Sequence, residues 1–105
     1  MPQMRFSTVP VTFSGSPSST GVISANSSTS FPTNVLTAAA AIQAMTVSFG
    51  SSDHHVRTLG ASISNVQWNG PTVSFSASLQ LEDDSGNKIS TSNSSLDVLV
   101  MAWTE

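Results

Sequence analysis

Residues 72–81 alternate without a slip. Val73, Phe75, Ala77, Leu79 and Leu81 hold one parity, and Ser74, Ser76, Ser78 and Gln80 hold the other. Strand side chains change face at every residue, so this run predicts a half-buried β-strand with an apolar stripe on one side and hydroxyls on the other. A helix of the same composition would scatter the serines around its whole circumference. Residues 96–103 differ in kind. Leu96, Val98, Val100 and Ala102 fill one parity and Leu99, Met101 and Trp103 the other, which predicts a strand covered on both faces.

The remaining segments are read the same way. Residues 6–13 set Val9, Val11 and Phe13 against Pro10 and Thr12. Pro10 lacks the N–H of a central strand, so this is an edge strand or arm. Residues 14–20 form a loop, 21–25 a short strand, and 26–33 a second Ser-rich loop punctuated by Pro32. The alanines 38–41 favour helix on propensity, yet Gln43, Met45, Val47 and Phe49 alternate with Ala44, Thr46 and Ser48. A strand over 42–49 is therefore expected, the alanines either leading into it or packed where only small side chains fit. In 54–68, Leu59, Ala61 and Ile63 share one parity while Val66 and Trp68 share the other, which predicts either a bulge near Ser64-Asn65 or a break into two strands. Asn69-Gly70 predicts a type I′ hairpin turn, and 82–88 an exposed acidic turn. The expected fold is all-β: an antiparallel β-sandwich with an N-terminal arm or edge strand. It is one domain overall, with residues 1–36 as arm and Ser-rich loops and 37–105 as the core.

Composition narrows the function classes. Only 9% of residues are charged, against about 25% in an average domain, and Ser and Thr supply about a third of the chain. Net charge is −3 and the cations other than histidine are Arg5, Arg57 and Lys88, too few for a phosphate-binding stripe. Nucleic acid and anionic membrane surfaces are not expected partners. Without cysteine, disulfides and thiolate metal sites are excluded. The first residues carry no signal-peptide h-region, and no apolar run nears the ~20 residues of a membrane span. The expectation is a protein made in soluble form, cytoplasmic or else released or particle-associated.

Candidate chemistry is thin. Asp53-His54-His55 is the one cluster with metal or acid–base character, but adjacent histidines on a strand point to opposite faces and no third ligand is near. The loop of Glu82, Asp83, Asp84, Ser85, Gly86 and Asn87 departs from calcium-loop spacing, with Gly86 out of place. Serines lack a Gly-x-Ser-x-Gly setting. No enzyme activity, metal or cofactor is expected. A ligand site at loop ends would draw on Asp53, His54, Arg57, Trp68, Asp83, Asp84 and Asn87, which combine polar donors and acceptors with an aromatic face.

From residue 44 to 104 the chain resembles an H-type lectin domain in outline. The similarity rests on Arg57-Thr58-Leu59-Gly60-Ala61-Ser62-Ile63-Ser64-Asn65-Val66 and on the closing Val98-Leu99-Val100-Met101-Ala102-Trp103, although the family's Trp-then-Ala ending is inverted here. The resemblance implies a six-stranded antiparallel sandwich, carbohydrate binding and trimeric assembly. It assigns no binding residue. The second apolar face of the last strand needs a cover, either the N-terminal arm with Val9, Val11 and Phe13 or another subunit, as a trimer would supply. The alternative function is a structural or host-adhesion component of a phage or virus-like particle or fibre.

Overall fold

The structure, a computed structural model, describes residues 1–50 and 55–105. Six strands follow one another: β1 (Gln3–Thr12), β2 (Val22–Ser30), β3 (Val35–Thr46), β4 (Val56–Asn69), β5 (Thr72–Asp83) and β6 (Ser95–Thr104), with a 3₁₀ turn at Thr91–Asn93 before β6. They form two three-stranded sheets, ordered β1-β6-β3 and β2-β5-β4. Every pairing is antiparallel.

The two strands with the clearest sequence patterns are the central ones. On β5 the buried row is Val73, Phe75, Ala77, Leu79 and Leu81; on β6 it is Leu96, Val98, Val100 and Ala102. These rows belong to one hydrophobic cluster, joined by Val9 and Val11 of β1, Phe13, Ile23, Phe31 and Val35. Ser7 of β1 and Thr29 of β2 share a hydroxyl hydrogen bond of 3.0 Å between strands of different sheets. The N-terminal segment is an edge strand of the first sheet, as its proline suggested. Pro10 sits on it opposite Asp97.

Three sequence expectations change. β3 begins at Val35, so the alanines lie inside the strand and not before it. Ala38 and Ala40 stand beside the buried Ala102 and Val100, and Ala39 and Ala41 beside Met101 and Leu99. Pairing with β6 outweighs the helix propensity of four alanines. Residues 26–30, expected as loop, extend β2 along β5 from Val22↔Gln80 to Ser30↔Thr72. The hairpin turns on Gly70 and Pro71, because Asn69 is already paired with Thr72. Gly70 has φ 60° and Asn69 is not in positive-φ space, the pattern of a type II′ turn in place of type I′. The bulge in β4 is where the parity change placed it: the register shifts between Ser64 and Gln67, and Asn65 takes φ 54°.

Strands of nine to fourteen residues make a long body of 55 × 19 × 18 Å. Its radius of gyration, 15.7 Å, exceeds the roughly 13 Å of a compact chain of this length. The two ends of the body are therefore far apart, which decides which loop residues can share a site.

Candidate functional site

The loop-end residues do not converge. Asp53 and His54 lie outside the described residues, and His55 beside them is exposed. Arg57 is exposed at the register shift between Val56 and Thr58, at the end of β4 that pairs with Asp83. Asp83, Asp84 and Asn87 belong to that same end. Trp68 sits eleven residues further along β4, roughly 36 Å away at strand rise. It is opposite the buried Val73, so it stands on the core-facing row at the sheet's far end, 42% exposed.

Asp83 is a turn-builder. It is buried, and its Oδ1 accepts from the backbone N–H of Ser85 at 3.0 Å and of Asn87 at 2.7 Å. Its Oδ2 accepts from Asn87 Nδ2 at 2.8 Å, and its own N–H donates to the Asn87 carbonyl at 3.0 Å. A carboxylate in this cage orders the β5–β6 connection, while Asp84 and Arg57 stand exposed at the same end. Asp83→Ala strips the acceptor from two backbone donors. It is expected to lower stability by about 1–3 kcal/mol in a denaturant titration. Among the described residues no group of three or more His, Asp or Glu is placed to hold a metal ion.

What the structure does bring together is two faces of opposite character. The face of the second sheet turned away from its buried row carries Ser24, Asn26, Ser62, Ser76, Ser78 and Gln80 in cross-strand register. Hydroxyls and amides bond one another there: Ser62 with Ser78 at 2.7 Å, and Ser76 donating to Asn26 Oδ1 at 2.7 Å. Two shallow depressions mark it. One of about 310 Å³ lies along the β4 bulge and is lined by Asn26, Asn65, Gln67, Ser74 and Ser76 among others. The other, about 240 Å³, lies between Gly60, Ser62, Ser78 and Gln80. No charged side chain lines either one.

The corresponding face of the first sheet is apolar, with Met4 and Phe6 from β1 beside Trp103 and Met101 from β6. The alternation of β5 and the double apolar pattern of β6 announced half of each face. Asn65, Gln67, Met4 and Phe6 went unread as site residues. For Met4 and Phe6 the available signal was their shared parity with Pro10, opposite to Val9 and Val11.

The chain matches no protein-family model, no curated protein and no solved structure in comparisons with each.

Proposed function

We propose that this chain is a non-enzymatic binding module: a β-sandwich in which the two sheets pack through their buried rows, self-associating through the apolar face of the first sheet and presenting the uncharged face of the second to a neutral carbohydrate. The observation that carries this reading is the depression along the β4 bulge. Its amides and hydroxyls, Asn26, Asn65, Gln67, Ser74 and Ser76, supply donors and acceptors in the mixture that sugar hydroxyls need. A neutral ligand also suits a face with no charge to neutralise. The outline similarity to H-type lectin domains points the same way, and this site replaces the loop ends, whose members lie too far apart to act together.

A glycan array with the purified chain tests it. Retention of a neutral glycan is expected, and Gln67→Ala should weaken it about tenfold, the cost of one hydrogen bond to a ligand left unmade. A folded protein that retains no glycan on the array would remove carbohydrate recognition. The reading then favoured is a structural or adhesion component of a particle or fibre, which the 55 Å length of the body and its apolar face support.

A further inference from the structure

The two depressions of the second sheet share one row. Ser74 and Ser76 line the first, Ser78 and Gln80 the second, and all four are successive outward positions of β5, the central strand. Outward positions recur about every 7 Å, so the row is continuous over about 20 Å. Ser76 and Ser78 are half-buried, whereas their partners in register on the edge strands, Asn26, Ser64, Ser24 and Ser62, are exposed. The serines of β5 are thus the floor of a trough and the edge strands its walls. Those walls carry their longest side chains at Asn26 and Gln67 and are lowest at Gly60, which pairs with Gln80. A trough that follows a single strand runs straight.

We infer that this trough takes the interior of an extended, linear, neutral polysaccharide, laid along β5 over both depressions, and not a terminal sugar. The inference rests on the carbohydrate reading proposed above and names its ligand class. Among the described residues no aromatic ring stands on this outer face, so the ligand is held through its hydroxyls without stacking. A net neutral hydrogen bond improves binding about two- to tenfold, whereas immobilising the ligand costs at least about a thousandfold. The roughly three or four bonds that one sugar makes at one shallow depression do little more than offset that cost. A chain that reaches the second depression adds bonds without meeting the full cost again.

The groups along the trough agree with such a chain. The side-chain amides of Asn65 and Gln67 bond to no other group among the described residues. The β4 bulge holds Asn65 at φ 54° beside the floor. Asn26 accepts from Ser76 through Oδ1 and keeps its Nδ2 donor for a ligand. At the other end Gln80 Nε2 donates to the Thr20 carbonyl at 3.0 Å, which fixes the amide and leaves Oε1 to accept. The first charge beyond Gln80 on this row is Glu82, which disfavours an anionic chain. A straight trough suits sugars linked as in cellulose, whose chains are extended, better than those linked as in starch, which coil.

Amide NMR shifts of the full chain, titrated with cello-oligosaccharides from cellobiose to cellohexaose, test the inference. Cellohexaose is expected to move amides at both Gln67 and Gln80. It should bind at least about tenfold more tightly than cellobiose or the coiled maltohexaose. Gly60→Thr fills the second depression: a Cβ there meets only the Gln80 side chain, at 3.6 and 3.7 Å, an ordinary contact. The variant should bring cellohexaose down to the affinity of cellobiose. Should it lose the dispersed spectrum of a fold, Gln80→Ala puts the same question. Equal affinities for cellobiose and cellohexaose, no effect of either variant, or shifts confined to another surface overturn the extended chain while leaving carbohydrate binding standing. So does silence with every cello-oligosaccharide beside retention of a different neutral glycan on the array. Silence here and no glycan retained on the array remove carbohydrate binding itself.

Discussion

Leu79→Ala is expected to destabilise the chain by about 2–5 kcal/mol, a large share of the about 5–15 kcal/mol that holds a domain folded. Leu79 is 1% exposed and stands on the central strand of the second sheet, flanked in register by Ile23 and Ala61. Neither neighbour can move in to fill the space, because each is fixed by its own ladder, so a cavity remains and adds to the lost transfer energy. Ser78, one residue away, points to the opposite face and bonds Ser62 in an exposed setting. Ser78→Ala should change stability by no more than about 0.5 kcal/mol. Urea unfolding of the two variants, with unchanged slope, measures the contrast. Similar midpoints for both would mean that the parity of β5, and with it the assignment of core and outer face, is wrong.

That parity was open to sequence reading because both faces of a central strand are constrained at once. β5 must be apolar on one side and polar on the other; β6 carries apolar side chains on both. Edge strands carry less information. Ser27, Ser28, Thr29 and Ser30 have the composition of a loop, and only pairing with Phe75, Ser74, Val73 and Thr72 makes them a strand. Ala38 to Ala41 are small on either face, so nothing local marks them as extended. The candidate site was harder still. Arg57 and Trp68 are close in sequence, and on one long strand that closeness becomes separation. Asp83 looks like a ligand residue until its bonds to Ser85 and Asn87 are seen. The phase of β1 changes partway: Met4 and Phe6 are apolar on the outer face, Val9 and Val11 on the inner, and one strand thereby serves both the core and the exposed apolar surface.

The last entry into that core is fixed by a glycine. Gly21 closes the β1–β2 connection with φ 77°, donates its N–H to the Ser18 carbonyl at 3.0 Å and accepts from the Leu81 N–H at 3.0 Å. A Cβ at this position would run into the backbone carbonyl oxygen of Leu81. That oxygen cannot rotate aside as a side chain could, because it belongs to β5 and accepts from the N–H of Ile89. The start of β2 would have to lift away, loosening the pairing of Val22 with Gln80 and of Ile23 with Leu79. Gly21→Ala is therefore expected to cost about 3–4 kcal/mol, the left-handed backbone contributing about 1–2 and the collision the rest. Gly86 isolates the first contribution. It has φ 83° with nothing within 4 Å of a Cβ, so Gly86→Ala should cost only about 1–2 kcal/mol. Denaturation midpoints of the two variants decide the matter. If Gly21→Ala proves no worse than Gly86→Ala, the close approach of Gly21 to Leu81 does not hold β2 against β5.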